Sequence, residues 1–431
     1  MNESSPRRTL PPDAAAEPPR KLARSGLFGV LDVGSTKIAC LIGRAESDGA
    51  LRVIGFGWQK GRGVRGGGIT DLAVAEKAIR AAVGQAEDMA DTSLRSVTVN
   101  LSCGQPESRL FNVQWPVGGR AVSVEDVQRV VYEVRARAFS EGRETIHALP
   151  LGFAVDETSD VADPRGLFCE TLTARLHIID AATSALRNFG ICLARADLEI
   201  AEMVSAPLAA GLAVLVEDER TLGATVVDMG GGTTGMAVFG EGQILHTASL
   251  PVGGAHVTND LARLLSTPVA HAERLKTLYG NAEPSPDDER EMLPVPLVGE
   301  EEHQIARVPR AMVVSIIRPR LEETFEMVKE RLDASGLARI GGARVVLTGG
   351  AAQLSGAREM ATRMFGRQVR LGRPHGLRGL PEAASGPAFA TAAGLLAWAA
   401  GAGQAMPDID LTPEASRGFV SRIIDFLRQR V

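Results

Sequence analysis

Short apolar runs alternate with amphipathic stretches along most of the chain, and two of these runs share an unusual ending. In each case the run ends in aspartate, a bend of glycine and hydroxyl residues follows, and a second apolar run begins. The first bend lies in DVGSTK, which starts at Asp32, and the second lies in DMGGGTT, which starts at Asp228. Apolar runs on both sides of a glycine-rich bend predict two β-hairpins.

The segments around these hairpins alternate between helical and strand-like patterns. Apolar residues recur at helical spacing across 72–89, and helices are also predicted at 199–216 and at about 308–335. The run VVLT at 345–348 predicts a buried strand that leads directly into a Gly-Gly turn. Alternating strands and helices predict an α/β fold.

Residues 102–180 depart from this alternation. A strand precedes a valine-rich helix, and two further strand-like runs follow at 147–155 and 171–179. Ser123 and Asp126, in front of the helix, have the spacing of a capping box. The order strand–helix–strand–strand predicts a small α+β subdomain inserted into the larger fold.

Composition and charge narrow the class of protein. Of the 431 residues 45% are hydrophobic and 23% charged, as in an ordinary globular protein, and the formal net charge of -5 argues against a nucleic-acid partner. The four cysteines are widely spaced without a CxxC pair, so neither a disulfide framework nor a zinc site is predicted. Residues 1–25 are rich in proline, arginine and alanine and predict a disordered tail.

The two hairpins predict a site for a phosphate-bearing ligand. A bend of glycine and hydroxyl residues directs several backbone N–H groups toward one point, which favours an anion. The aspartate before each bend can hold hydrated Mg²⁺ that bridges phosphate oxygens. Two such hairpins on opposite sides of a cleft would clamp a nucleotide, although the GxxxxGK[ST] sequence of a P-loop is absent.

Together with the Gly-Gly turn, these hairpins resemble the actin–chaperone–sugar kinase ATPase superfamily and, within it, the FtsA family of bacterial cell-division proteins. The resemblance covers roughly residues 26–431 and rests on GVLDVGSTKIACLIGR, RGVRGGGITDLAVAEKAI, QAEDMAD, VVDMGGGTTGMAVF and VVLTGGAAQLSG. It implies an actin-like, ribonuclease H-like fold of two duplicated lobes. The implied division is a first lobe (26–101, 181–221 and 383–401), the inserted subdomain (102–180), a second lobe (222–245 and 329–382), a smaller subdomain of that lobe (246–328), a linker (402–416) and a C-terminal amphipathic helix (417–431).

The resemblance also implies ATP and Mg²⁺ as ligands and assigns residues to them. Asp32 and Asp228 would organise Mg²⁺ through water. The residues expected to contact ATP are Gly34, Ser35, Thr36 and Lys37 in the first bend, Gly230, Gly231, Gly232, Thr233 and Thr234 in the second, Glu273 and Lys276 at the ribose and base, and Gly349, Gly350 and Ala351 at the adenosine. For Glu273 and Lys276 an ordinary solvated charge pair on a helix is the alternative.

The segment 417–431 has its own pattern. At 100° per residue, one sector of the helix is apolar and the other is polar with arginines. A helix of this length can lie in the membrane interface but cannot span a bilayer. The residues expected to contact the membrane are Phe419, Val420, Arg422, Ile423, Ile424, Phe426, Leu427, Arg428 and Arg430. A helix that covers a groove on the globular body is the alternative.

From the resemblance we expect a peripheral protein at the cytoplasmic face of the inner membrane at the division site. Its expected partners are the C-terminal peptide of FtsZ, further copies of itself in a filament, anionic lipid and other division proteins, with Arg318 and Arg320 as candidate contacts for the acidic FtsZ peptide. Bacterial actins carry a Glu-Pro segment where this chain has Ala206-Pro207, so at most weak ATPase activity is expected. A pilus-assembly adaptor and a sugar-kinase-like phosphotransferase are the alternative functions.

Overall fold

Two large β-sheets organise the part of the chain that the computed structural model describes, which is residues 26–138, 140–299, 305–342 and 344–403. The first part of the chain contains β1 (Leu27–Val33), β2 (Lys37–Ala45), β3 (Leu51–Lys60), β4 (Val64–Arg65), β5 (Gly68–Ile69), α1 (Leu72–Ala90) and β6 (Ser96–Leu101). The inserted unit follows with β7 (Glu107–Ala121), α2 (Val124–Ala138), β8 (Arg143–Val155), β9 (Thr158–Val161) and β10 (Phe168–Ala182).

The rest of the described chain returns to the first sheet, builds the second and ends in the first. Its elements are α3 (Thr183–Arg195), β11 (Glu199–Ser205), α4 (Ala206–Val214), α5 (Glu217–Leu222), β12 (Ala224–Met229), β13 (Thr234–Gly240), β14 (Gln243–Leu250), α6 (Gly254–Leu264), α7 (Val269–Tyr279), β15 (Met292–Pro296), β16 (Ile305–Pro309), α8 (Arg310–Ala334), β17 (Arg344–Thr348), α9 (Ala357–Phe365), β18 (Gln368–Leu371), β19 (Leu377–Arg378) and α10 (Ala390–Ala399).

Apart from β19 at one edge of the first sheet, the two large sheets have the same topology. The first has the strand order β11-β6-β1-β2-β3-β19 and the second has the order β14-β13-β12-β17-β18. In each sheet three consecutive strands pair antiparallel, β1–β2–β3 in the first and β12–β13–β14 in the second. On the other side of β1 and β12, two further strands pair in parallel, β6 and β11 in the first sheet and β17 and β18 in the second. The two predicted hairpins, β1–β2 and β12–β13, therefore occupy equivalent positions in two duplicated lobes.

Helices α4 and α10 pack against each other in the core between the two lobes. Every residue of α4 is buried, and α10 is buried along almost its whole length. Gly394 allows the close approach, because a Cβ atom there would lie 1.6 Å from the Ala209 carbonyl oxygen. This apolar pair joins the two sheets directly behind the hairpin bends.

The helix predicted over 199–216 is wrong in its first part. Residues 199–205 form β11, which pairs in parallel with β6 at the edge of the first sheet. The helix begins only at Ala206, with Pro207 in its first turn. Proline is tolerated in the first turn of a helix, but in a helix that began at 199 it would lie in the interior, where it removes a backbone hydrogen bond and clashes with the preceding turn.

The inserted unit is an α+β subdomain, as predicted. Its sheet has the order β7-β10-β8-β9, and α2 packs on one face through Val127, Val130 and Val134. The capping box is also confirmed, since the Asp126 amide donates to the Ser123 hydroxyl and the Ser123 amide donates to the Asp126 carboxylate. The finer division of the chain into subdomains remains a prediction.

The predicted tail at 1–25 and the predicted amphipathic helix at 417–431 lie outside the described residues, as does most of the linker at 402–416. Within the described ranges, no helix is both long and apolar enough to cross a bilayer.

Candidate functional site

A cavity of about 450 Å³ opens between the two lobes, at the bends of both hairpins. Its walls also include the turn after β17, the start of α6 and one side of α7. The predicted site residues that line it are Asp32, Gly34, Ser35, Thr36, Lys37, Asp228, Gly230, Gly231, Gly232, Thr233, Glu273, Lys276, Gly349, Gly350 and Ala351. Residues from four separate parts of the sequence therefore meet at one place.

The bends of the two hairpins have the same backbone geometry. The Gly34 amide donates to the Lys37 carbonyl at 2.9 Å, and the Gly230 amide donates to the Thr233 carbonyl, also at 2.9 Å. A Cβ atom would lie 2.8 Å from the facing carbonyl oxygen at Gly34 and 2.9 Å from it at Gly230. Both positions are therefore glycine because of a close backbone approach within the bend.

The two bends also touch each other. A Cβ atom on Gly231 would lie 2.4 Å from the Thr36 side chain, and one on Gly232 would lie 2.4 Å from the Ser35 hydroxyl oxygen. The glycine-rich segment between β3 and α1 supports the first bend, since the Gly61 amide donates to the Thr36 carbonyl at 2.9 Å. A side chain at Gly231 or Gly232 would therefore collide with the first bend or the segment that supports it.

The carboxylate before the first bend has a cation of its own. Lys37 Nζ lies 3.2 Å from Asp32 Oδ2, and both side chains are largely buried. The same ammonium group lies 4.0 Å from the centre of the Phe389 ring. Lys37 therefore neutralises Asp32 and is held against the wall of the cavity.

The carboxylate before the second bend is held differently. Asp228 accepts a hydrogen bond from the Thr391 hydroxyl at 2.9 Å. Burial raises the pKa of Asp228 to about 6, and the nearby Asp32 adds to the rise. A bound cation would relieve both effects, so two facing carboxylates fit the predicted water-mediated Mg²⁺. Within the described chain, no three His, Cys, Asp or Glu side chains cluster as a direct metal site.

The pair Glu273 and Lys276 belongs to a larger network on the other wall. Lys276 Nζ donates to the Gly254 carbonyl at 3.1 Å, to the Thr258 hydroxyl at 2.9 Å and to Glu273 at 2.7 Å. The Lys276 side chain is only 16% exposed. The i,i+3 pair of the alternative is therefore present, with Glu273 52% exposed, and Lys276 in addition ties α7 to the start of α6. The assignment of the pair to the ribose and base stays a prediction.

Among the residues predicted to contact nucleotide or metal, Thr234 alone does not line the cavity. It is fully buried at the start of β13, and its hydroxyl donates to the Val252 carbonyl at 2.8 Å. Its side chain is therefore turned away from the cavity and ties the bend to the segment that precedes α6.

Two parts of the cavity were missed by the sequence reasoning. The Asn100 side chain accepts from the Val33 amide at 2.8 Å and thereby holds the base of the first bend. Gly253 and Gly254 lie against the second bend, where the Gly254 amide donates to the Gly230 carbonyl at 3.0 Å. The PVGG sequence that contains these glycines was a signal of a close backbone contact that could have been used.

The two arginines predicted to contact a partner lie outside the cavity, on α8. Arg318 pairs with Glu322 at 2.9 Å along the same helix. Arg320 pairs with Asp260 of α6 at 2.6 Å and also contacts Glu323. Arg320 therefore joins α6 to α8, whereas Arg318 makes only a local pair that a partner could replace.

Two family models match the chain. The one described as "Cell division protein FtsA" matches residues 225–394, and the one described as "SHS2 domain inserted in FTSA" matches residues 103–180. The second match coincides with the inserted α+β unit.

Relatives with the name "Cell division protein FtsA" match most of the chain. The protein of Rhizobium meliloti is 44% identical over 384 residues, which cover 86% of this chain and 87% of the relative. The protein of Escherichia coli K12 is 34% identical over 377 residues, which cover 85% of this chain and 88% of the relative.

Solved structures with similar folds are more distant in sequence. The "PilM-PilN type IV pilus biogenesis complex" has a TM-score of 0.62 at 17% identity and covers 86% of this chain and 98% of that chain. MreB5 of Spiroplasma citri bound to AMPPNP has a TM-score of 0.50 at 14% identity and covers 86% and 95%. With these similarities, the predicted actin-like α/β fold with its inserted subdomain is confirmed.

Proposed function

The chain belongs to the FtsA family of bacterial cell division proteins, and on this premise we propose that it is an ATP-dependent adaptor that tethers FtsZ filaments to the cytoplasmic face of the membrane. The observation that carries the nucleotide part is the pair of matching bends that face each other across one cavity. The family assignment favours cell division over the two alternatives, a pilus-assembly adaptor and a sugar-kinase-like phosphotransferase.

In this proposal the cavity holds ATP with Mg²⁺. The amides of Gly34 and Gly230 are used inside their own bends, so the amides of the residues that follow them are the candidates for phosphate oxygens. Asp32 and Asp228 would hold the hydrated metal, which supplies the charge that neutralises the phosphates. Lys276 and the Gly349-Gly350 turn line the part of the cavity that we assign to the nucleoside.

We expect ATP to act mainly as a structural ligand that is hydrolysed slowly. Where α4 begins, Ala206 and Pro207 line the cavity, and neither side chain can orient an attacking water. A phosphate-release assay on the purified protein should therefore show far less than one turnover per second. Sustained turnover above that rate would show that another residue performs this role.

The surface proposed for the FtsZ peptide lies on the subdomain at 246–328. Several large apolar side chains are exposed there, namely Leu264, Val269, Leu278, Met292, Val298, Ile305 and Met312. Such a surface suits a peptide that is apolar as well as acidic, and Arg318 adds positive charge. Arg320 is a poorer candidate, because its substitution would also break the tie to Asp260.

Arg318→Glu tests this contact without disturbing α6. It should weaken binding of the FtsZ C-terminal peptide by about tenfold in a fluorescence anisotropy titration, since it replaces an attraction with a repulsion. Arg137→Glu is the matched control, because Arg137 also makes an exposed i,i+4 pair with a glutamate, on α2. Equal loss in both variants, or none in either, would place the contact elsewhere.

Membrane attachment is proposed for residues 417–431. A single interfacial helix of this size binds weakly, and a filament would strengthen attachment because its many tails act together. Co-sedimentation with vesicles that contain anionic lipid, in the presence of ATP, should recover the intact chain but not a chain that ends at Ser416. Ile423→Glu should also release the protein. Equal recovery of the shortened chain would contradict the anchor.

A further inference from the structure

The inserted subdomain touches both lobes at the cavity itself. It contacts α3 and β11 of the first lobe, where Ile146 packs onto the core cluster of that lobe, and Leu149 packs onto the cluster that the two lobes share. It also reaches across to β14, the edge strand of the sheet in the second lobe. An inserted unit that is attached to one lobe alone would not need this second contact.

On the first lobe the contact is made by His147 of β8. Its Nε2 atom accepts a hydrogen bond from the Ser205 amide at 3.1 Å, and its ring packs edge-to-face on Trp398 at 5.3 Å. Burial lowers the pKa of His147 to about 4, so the ring is a neutral acceptor at physiological pH. Ser205 lines the cavity and immediately precedes α4.

On the second lobe the contact is made by Ser108 of β7. Its hydroxyl oxygen accepts a hydrogen bond from the Thr247 amide at 3.1 Å and lies 2.5 Å from His177 Nε2. His177 is fully buried and Thr247 is 3% exposed, and Thr247 lines the cavity. Because β14 is an edge strand, the Thr247 amide has no neighbouring strand on that side, and the Ser108 hydroxyl takes its place.

We propose that the inserted subdomain is a brace between the lobes, and that the hydrogen bonds from the Ser205 and Thr247 amides to His147 and Ser108 link its position to closure of the cleft. The Ser205–His147 bond is buried and the Thr247–Ser108 bond is partly buried, so a change in the angle between the lobes would strain one of them or move the subdomain with it. Strand β14 pairs with β13, which begins at the second bend, so a movement of that bend is carried to Ser108. The link to nucleotide rests on the proposed ATP site, whereas the brace itself does not.

Hydrogen exchange on the full chain, read by mass spectrometry, tests the brace without nucleotide. Ser108→Ala should speed exchange of the Thr247 amide by about tenfold, because it loses its acceptor. Ser108→Thr keeps the hydroxyl and should leave that exchange near the wild-type rate. Ser159→Ala, an exposed serine on β9 of the same subdomain, is the matched control. Unchanged Thr247 exchange in Ser108→Ala, or equally fast exchange in Ser108→Thr, would overturn the brace.

The same experiment with Mg²⁺ and AMPPNP tests the link. In the wild type, exchange should slow in both bends and also at residues 106–110, whereas in Ser108→Ala it should slow in the bends alone. Slowing at 106–110 in Ser108→Ala, or none there in the wild type, would overturn the link. If exchange in the bends of the wild type does not slow with nucleotide, the proposed ATP site is wrong. The brace is then still tested by exchange of the Thr247 amide without nucleotide.

Discussion

The two hairpin bends share one backbone geometry but differ in how the preceding carboxylate is balanced. Asp32 has a cation within its own bend, since Lys37 lies 3.2 Å away. Asp228 forms no ion pair with any described residue and relies on the Thr391 hydroxyl, and burial raises its pKa to about 6. The two lobes therefore share the turn but not the ion pair. The carboxylate of Asp228 is the one that a bound cation would balance.

The largest expected effect comes from filling the space between the bends. In Gly231→Ala the new methyl group would lie 2.4 Å from the Thr36 side chain, so Thr36 must rotate or the two bends must move apart. Strain of about 1–3 kcal/mol should weaken ATP binding by about 10- to 100-fold in a competition assay with a fluorescent analogue. Gly84→Ala on α1 is the control, because a methyl group there meets nothing within 4 Å. Wild-type affinity in Gly231→Ala would show that ATP does not bind between the bends.

The next prediction separates the two aspartates by their effects on stability. Asp228→Asn should stabilise the ligand-free protein at pH 8, because it removes a buried charge while its amide oxygen can still accept from Thr391. Asp32→Asn should destabilise it, because Lys37 loses its partner. Urea unfolding gives the change in the free energy of unfolding for each variant. Changes of the same sign would contradict the claim that the two aspartates are balanced differently.

The effect at Asp228 should also depend on pH. Its pKa is raised in the folded protein, so the folded state holds the proton more tightly than the unfolded chain does. The wild type should therefore lose stability relative to Asp228→Asn as the pH rises from about 4 to about 6, by about 3 kcal/mol in total, and then stay level. A constant difference over this range would show that the carboxyl group titrates normally.

Much of the site could be predicted because each bend is a local feature of the sequence. A glycine after Asp-Val or Asp-Met between two apolar runs predicts a hairpin, and both predicted hairpins are present. The inserted subdomain was also visible, because its order of elements breaks the alternation. Such patterns are set by neighbours in the chain and need no knowledge of the folded structure.

The parts that could not be predicted depend on residues distant in sequence. The role of Asn100 under the first bend requires β6 to lie beside β1, and the role of Thr391 requires α10 to return to the cavity. The sequence predicts a helix over 199–216, but residues 199–205 form a strand, because their pairing partner β6 lies about 100 residues away in the chain. The family resemblance assigns Lys37 to phosphate, whereas its ion pair with Asp32 depends on side-chain geometry that the sequence does not show.

A smaller effect is expected from Lys37→Met. The Lys37 ammonium group already contacts Asp32 and the Phe389 ring, so its attraction to a phosphate is weaker than that of an unpaired lysine. ATP affinity should fall by less than about tenfold, well short of the effect of Gly231→Ala, in the same competition assay. A loss of ATP affinity as large as that of Gly231→Ala would mean that Lys37 leaves Asp32 and binds phosphate directly when nucleotide binds.

Calorimetric titration of the full chain with ATP, in the presence of Mg²⁺ and then of EDTA, tests the central claim most directly. If the two bends form one site with Asp32 and Asp228 facing the same metal ion, the titration should give one ATP per chain. Affinity should fall at least tenfold without Mg²⁺, and Asp228→Asn should bind with the same weak affinity in both conditions. Absence of binding, two ATP molecules per chain, or an affinity that does not respond to Mg²⁺ would contradict the account.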